Sequence, residues 1–160
     1  MSTAPKFIQL IEALHDARVE LVIVGGVAAV AHGAPVSTFD LDIVHRRTPE
    51  NIERLVTCLR DLDAVYRGRG KQRLGPERHH LDGAGHNLLQ TKWGPLDVLG
   101  SIIGDRDYDT LLPHSELRDI GRARVHVLGL VALIEIKEAL GRDKDKAMLA
   151  ILRHTLAEKK

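Results

Sequence analysis

The sequence is poor in aromatic side chains and carries almost no net charge. Phenylalanine, tyrosine and tryptophan make up 3% of its 160 residues. Protein modules that bind single-stranded nucleic acid usually stack the bases on such rings. A nucleic-acid partner would therefore have to be held by its phosphates or its shape. The formal net charge is +1, so no global field draws the protein toward nucleic acid or a membrane surface.

The sequence also lacks a second cysteine and any long apolar run. Cys58 is the single cysteine, so an internal disulfide is excluded, and its apolar neighbours predict a buried position on a helix. No apolar run reaches about 18 residues, the minimum for a membrane span, and the N-terminus lacks a basic start followed by an apolar signal core. We expect a cytoplasmic protein without a membrane segment.

Alternating strand and helix patterns predict the fold class. At 160 residues the chain suits a single domain spanning residues 1–160. The patterns predict a strand at 20–24, a helix at 27–31, a strand at 39–44, a helix from Thr48, a hairpin at 87–99, strand pairing within 115–128, and helices at 130–140 and 144–156. This order favours an α/β (α+β) fold with a mixed β-sheet flanked by helices. The C-terminal part, about residues 129–158, is expected to be helical.

Two aspartates on the strand at 39–44 are candidate metal ligands. Asp40 and Asp42 project from the same face of the strand, with Cβ atoms about 6.5–7 Å apart. Hard cations such as Mg²⁺ bind through one or two carboxylates plus substrate phosphates, and a bound cation would relieve the repulsion between the two charges. The alternative is that both aspartates lie on the solvent face of an edge strand, and the spacing alone does not separate the two interpretations.

Two neighbouring features favour the metal site. Gly25 and Gly26 join a buried strand to a helix, where backbone N–H groups and the helix N-terminus can approach an anion; tight strand–helix packing is the alternative. Asp97 lies in a short apolar strand, where a buried charge needs compensation. It could complete the metal site or accept the proton of an attacking hydroxyl, or it could be a surface acid on a hairpin. Together these residues predict a site for a nucleoside triphosphate.

These residues resemble the nucleotidyltransferase superfamily, whose fold is shared with DNA polymerase beta. The resemblance rests on Val24-Gly25-Gly26, on residues 37–43 and on Leu96-Asp97-Val98. The stretch 22–43 and the C-terminal segments 133–137 and 141–145 are similar to the small bacterial branch that includes abortive-infection and toxin–antitoxin nucleotidyltransferases. The chain departs from the usual Gly-Ser of the family at the turn, and 160 residues leave little room for a separate acceptor-binding domain.

The resemblance implies a role for each candidate residue. Asp40 and Asp42 would hold Mg²⁺, with two ions expected, and Asp97 would join them and help to deprotonate the acceptor. Gly25 and Gly26 would approach the triphosphate of ATP or another nucleoside triphosphate. Three further side chains would contact phosphate, each with a plainer alternative: Ser37 and Thr38 as turn residues, and Lys137 as a solvated helix lysine.

The implied activity is transfer of a nucleoside monophosphate to a hydroxyl acceptor. RNA, including a tRNA end, is the acceptor favoured by the toxin-like branch, with a cognate antitoxin as partner. A small molecule or a protein side chain is the alternative acceptor. A catalytically weak nucleotide-binding or partner-binding module with the same fold is the alternative function.

A basic segment has two interpretations. The segment contains Arg67, Arg69, Lys71, Arg73, Arg78, His79 and His80. It could steer a triphosphate or an RNA backbone toward the cleft, or it could be a solvated loop. His79, His80 and His86 lack the cysteines or the second histidine pair that a transition-metal site would need.

Overall fold

A seven-stranded mixed sheet with seven α-helices confirms the predicted architecture. The computed structural model describes residues 5–70, 72–103 and 105–159, so Lys71 of the basic segment lies outside the described residues. The elements are α1 (Phe7–Asp16), β1 (Leu21–Val24), α2 (Gly25–Ala31), β2 (Leu41–His45), α3 (Pro49–Asp61), β3 (Val65–Tyr66), α4 (Arg78–Leu81), β4 (His86–Thr91), β5 (Gly94–Leu99), α5 (Tyr108–Leu111), a short 3-10 helix (Leu112–His114), β6 (Ser115–Ile120), β7 (Ala123–Leu128), α6 (Leu130–Leu140) and α7 (Asp143–Glu158). None of the described helices has the length and apolarity needed to cross a membrane.

The strand order in the sheet is β3-β4-β5-β2-β1-β7-β6. In the centre, β2 runs antiparallel to β1 and parallel to β5. The side chains of Ile23, Ile43 and Val98 on these strands are fully buried, which is typical of short β-branched strands covered on both faces. The centre of the sheet is therefore the rigid base on which the ends of β1, β2 and β5 are held.

The structure differs from the predicted elements at the start of β2, at the start of α2 and in the segment that contains α4. Strand β2 begins at Leu41 rather than at Phe39, whose side chain is 74% exposed. The Thr38 hydroxyl donates to the Asp40 carbonyl at 3.1 Å, which holds the chain in a turn before the strand. Helix α2 begins directly at Gly25, because its φ of +69° turns the chain from strand into helix without a linker. The segment predicted as a loop contains the short helix α4, whose Leu81 is fully buried.

Helix α3 begins as predicted and also ties β1 to β2. Thr48 caps the helix by accepting from the Asn51 N–H at 3.3 Å. The fully buried Asn51 side chain accepts from the Glu20 N–H at 2.7 Å and donates to the carbonyls of Glu20 at 2.9 Å and Arg46 at 2.8 Å. One amide thus satisfies backbone groups just before β1 and just after β2, which supports the register that orients Asp42 at the other end of β2.

Cys58 occupies the buried position that its neighbours predict. Its thiol lies on α3 and donates to the Ala13 carbonyl of α1 at 3.7 Å. Burial raises the pKa of the Cys58 thiol to about 11. A thiol with so high a pKa is a packing group and not a nucleophile at neutral pH.

We expect Asn51→Leu to lower the free energy of unfolding by about 2–4 kcal/mol, because the substitution leaves the Glu20 N–H and the Arg46 carbonyl buried without partners. Denaturant unfolding measures the effect. Arg54→Ala, on the exposed face of the same helix, is the matched control and should stay within about 0.5 kcal/mol. An Asn51→Leu protein as stable as the wild type would show that these groups find water or other partners.

Candidate active site

Three carboxylates converge at the N-terminal end of β2, a central strand of the sheet. Strands β2 and β5 pair in parallel with Asp42 opposite Asp97, so the two side chains lie on the same face of neighbouring strands. Asp40 precedes Asp42 by two residues and adds its carboxylate to the same side. One carboxylate oxygen from each of the three residues lies within 4.8 Å of the others. We call Asp40, Asp42 and Asp97 the carboxylate cluster.

The cluster is electrostatically strained. Burial raises the pKa of Asp42 to about 8, with further contributions from a hydrogen bond to Asp97 and from the charges of Asp97 and Asp40. Burial and the neighbouring Asp97 also raise the pKa of Asp40. Asp42 Oδ1 is buried and has no hydrogen-bond partner among the described residues. A buried carboxylate oxygen without a donor is satisfied by a proton or by a cation.

The donor set fits a hard divalent cation. All three candidate ligands are carboxylates, the ligand type that Mg²⁺ prefers over the nitrogen and sulfur ligands of zinc. The unpartnered oxygen of Asp42 is available for such an ion. The residues that the sequence singled out as a Mg²⁺ site are therefore brought together with suitable chemistry, while their role as ligands stays a prediction.

Both glycines of the strand–helix turn are explained by close approach. A Cβ atom on Gly25 would collide with the Asp42 carboxylate, and the positive φ of Gly25 independently disfavours other residues. A Cβ atom on Gly26 would lie 2.6 Å from the Thr38 hydroxyl oxygen. Packing, the alternative interpretation, thus accounts for both glycines. Gly25 also lines the cavity next to the cluster, and triphosphate binding at this turn stays a prediction.

A cavity of about 600 Å³ opens beside the carboxylate cluster. Helix α6 and the start of α7 contribute three cationic residues to its lining, namely Lys137, Arg142 and Lys144. The rest of the described lining is mostly apolar: Val24, Leu88, Leu99, Ile102, Ile103, Leu133, Ile136 and Leu140, with Gly25 and His86. The cavity therefore combines an acidic region, a cationic region and an apolar region within the volume of a ligand site.

Lys137 and Arg142 are held by one buried acid. The Asp145 side chain is fully buried and accepts from Lys137 Nζ at 3.1 Å and from Arg142 Nε at 2.5 Å. The Arg142 guanidinium and the Lys137 ammonium hold the pKa of Asp145 well below its usual range. Asp145 is therefore a permanent anion that orients two of the three cations of the cavity.

Ser37 and Thr38 lie away from this cavity. Ser37 is exposed, and Thr38 packs beneath Gly26 and lines a separate apolar hollow together with Phe7, Ile8 and Val30. Neither is among the described residues that line the cavity. Their geometry fits the interpretation as turn residues, and their predicted contact with phosphate has no support from these positions.

The sequence did not single out Arg67 as a residue of the site. Arg67 Nη2 donates to Asp97 Oδ1 at 2.7 Å and lies 3.9 Å from Asp40 Oδ2. The basic segment was the available signal, but nothing in its composition distinguishes Arg67 from the exposed Arg69. Arg142 and Lys144 were part of the family resemblance without an assigned role.

The three histidines weighed as a transition-metal site, His79, His80 and His86, do not form one group. His79 and His80 lie with Glu77 in an exposed cluster whose possible ligand atoms are within 4.8 Å of one another. His86 instead lines the cavity, and its Nε2 lies 3.0 Å from the Ser101 carbonyl. The histidines therefore do not converge as a trio.

We expect the metal-free Asp42→Asn protein to be more stable than the wild type at alkaline pH. The pKa of Asp42 in the folded protein, about 8, exceeds its ordinary value of 3.8. The protonated side chain therefore contributes stability that is fully present below pH 3.8 and is lost as the pH rises through 8. The variant should melt at least about 2–4 °C higher at pH 9, with a smaller difference at pH 5.

Thermal unfolding in the presence of a chelator measures the difference at both pH values. Asp61→Asn, an exposed acid on α3, is the matched control and should melt like the wild type. An Asp42→Asn protein that melts below the wild type at pH 9 would contradict the inference that burial and neighbouring carboxylates destabilise ionised Asp42.

Several solved structures are similar to the chain over nearly its whole length. A proposed nucleotidyltransferase from Thermotoga maritima, TM1012, has a TM-score of 0.60 and 16% identity, covering 95% of this chain and 93% of its own. The lincosamide antibiotic adenylyltransferase LnuA, solved with lincomycin bound, has a TM-score of 0.61 and 11% identity over 92% of this chain and 94% of its own. ANT(2")-Ia, in complex with adenylyl-2"-tobramycin, has a TM-score of 0.58 and 16% identity over 96% of this chain and 91% of its own.

No protein-family model matches the chain, and no curated protein matches it in sequence. The similarity to the solved structures is therefore a similarity of backbone fold and not of sequence. The chain has the fold of the nucleotidyltransferases.

Proposed function

We propose that the protein transfers a nucleoside monophosphate from a nucleoside triphosphate to a hydroxyl acceptor and releases pyrophosphate. The observation that carries the proposal is the convergence of Asp40, Asp42 and Asp97 on a cavity that also contains Lys137, Arg142 and Lys144. Nucleotidyl transfer needs positioning and charge neutralisation more than it needs a side-chain nucleophile. Carboxylates for a metal and cations for phosphates meet those needs.

The three carboxylates, Lys137 and Asp145 each have a role in the proposal. Asp40, Asp42 and Asp97 would hold Mg²⁺, with two ions expected. The metal supplies neutralisation of the phosphate charge and polarisation of the reacting oxygens. Asp97 also accepts the proton of the attacking hydroxyl. Lys137 contacts the phosphates, and Asp145 keeps its ammonium group oriented.

We prefer a small hydroxyl compound as the acceptor. LnuA and ANT(2")-Ia have chains of similar length, and their structures contain lincomycin and adenylyl-2"-tobramycin. A chain of this size, treated as one domain, can therefore hold a nucleotide product and a small acceptor. Leu88, Ile102 and Ile103 give the cavity of the present chain an apolar wall for such a compound.

RNA, including a tRNA end, is the second candidate acceptor. In that case the protein would act as a toxin in the cytoplasm and would have a cognate antitoxin as partner. The exposed Arg69 and Arg73 favour RNA, because they follow Arg67 closely in the chain and present their charges to solvent. Against it, the described lining of the cavity contains no phenylalanine, tyrosine or tryptophan on which a base could stack.

Label transfer tests the proposal. We expect label from α-³²P-labelled nucleoside triphosphates, and none from the γ-labelled forms, to appear on an acceptor in the presence of Mg²⁺. The acceptors offered are a panel of small hydroxyl compounds, including lincomycin and tobramycin, and separately a total RNA pool. Asp42→Asn should lower transfer by at least about 100-fold, because it removes a charge needed in the transition state, while Asp61→Asn should leave it unchanged.

The outcomes separate the candidate functions. Label on RNA alone, lost at high salt, would favour the second candidate. A melting temperature raised by Mg²⁺ and triphosphate without any transfer would favour the catalytically weak nucleotide-binding module. Transfer of the γ-label would contradict nucleotidyl transfer.

Lys137→Met tests the phosphate side of the cavity. We expect KM for the triphosphate to rise about tenfold, because one charged phosphate contact is lost, while the melting temperature changes little since Arg142 remains on Asp145. Lys146→Met, an exposed lysine of α7, is the matched control. An unchanged KM and kcat would show that Lys137 is a structural partner of Asp145 alone.

A further inference from the structure

The carboxylate cluster already has a cation from the protein itself. Among residues 5–70, 72–103 and 105–159, Arg67 is the one basic side chain within 4.0 Å of a carboxylate of the cluster. Its Nη2 lies 2.7 Å from Asp97 Oδ1 and 3.9 Å from Asp40 Oδ2. The Arg67 side chain is 29% exposed and that of Asp97 is 13% exposed, so the contact is only partly screened by water.

The backbone and the side chain of Arg67 are both anchored to β4. The Arg67 N–H donates to the Leu88 carbonyl at 2.9 Å, and Nη1 donates to the Leu89 carbonyl at 2.6 Å. Leu88 is paired in register with Asp97 on β5. The guanidinium therefore reaches across β4 to Asp97. The two hydrogen bonds to β4 hold Arg67 in this position.

Arg67 approaches the cluster from the side of β4 and is not among the described residues that line the cavity. Its guanidinium contacts Asp97 Oδ1 from that side, and its charge is the property by which it acts on a cation bound in the cavity.

We propose that Arg67 is a built-in counter-ion of the carboxylate cluster that weakens the binding of free divalent cations. Its positive charge offsets part of the repulsion among Asp40, Asp42 and Asp97 in the metal-free protein. The same charge repels a divalent cation held by those residues. Tight metal binding then requires additional oxygen ligands, which the triphosphate supplies.

The proposal deepens the proposed function, because it rests on the cluster being the metal site. Its consequence is a metal site matched to metal–triphosphate complexes instead of free ions. A purely structural role for Arg67 makes a different prediction: removal of its charge would lower stability and leave metal affinity unchanged.

Binding of Mn²⁺ alone, followed by electron paramagnetic resonance of the free ion, tests the proposal without any transfer reaction. We expect Arg67→Gln to bind Mn²⁺ with a Kd at least about tenfold below that of the wild type, because a neutral side chain no longer repels the ion. Arg67→Lys keeps the charge and should bind as weakly as the wild type. Arg69→Gln, two residues further along the exposed segment, is the matched control and should also behave like the wild type.

Thermal unfolding of the same proteins checks that the variants fold. Metal-free Arg67→Gln should melt below the wild type and gain more from added Mn²⁺ than the wild type gains. A Kd for Arg67→Gln equal to or above that of the wild type would overturn the proposal while leaving the proposed function standing. Mn²⁺ binding that survives Asp42→Asn in the Arg67→Gln background would overturn both, because the ion would then bind elsewhere.

Discussion

The parallel pairing of β2 with β5 is the interaction on which the candidate site depends. Its register puts Asp42 beside Asp97, and no local property of either strand brings these carboxylates together. Both strands are apolar and buried on either side of their aspartates. The free energy of burying those apolar side chains therefore holds like charges at a distance that they would not adopt in solution.

This arrangement makes the site a place of electrostatic strain in a stable sheet. The raised pKa of Asp42 and its unpartnered Oδ1 express the strain directly. Opposite charge is supplied by Arg67, which follows β3 and is hydrogen-bonded to β4, and by Lys137, Arg142 and Lys144 at the end of α6 and the start of α7. A strained group that neighbouring elements hold in position is typical of a functional site, because the surrounding fold offsets its unfavourable energy.

The end of α6 and the start of α7 provide the cationic side of the cavity. Asp145 is buried at the start of α7 and binds both Lys137 of α6 and Arg142. These two ion pairs hold Lys137 and Arg142 at the wall of the cavity, and they also connect α6 to the start of α7. One sheet and two helices thus supply the carboxylates, the cations and the apolar side chains that line the cavity.

The local elements and the acidic residues of the candidate site could be predicted from the amino-acid sequence alone. β-branched runs, the Thr48 cap and the glycines at 25 and 26 predict most strands, helices and turns, because these signals act between near neighbours in the chain. Asp40 and Asp42 were identifiable because their spacing is that of neighbours on one face of the predicted strand, and Asp97 because it is a lone acid in an apolar strand. Three contacts are visible only in the folded protein: Arg67 joins the cluster, the Asp42 carboxylate leaves no room for a side chain at Gly25, and Thr38 lines a separate apolar hollow. Those contacts depend on strand order and register, which are set by the packing of the whole sheet and leave no mark in the local sequence.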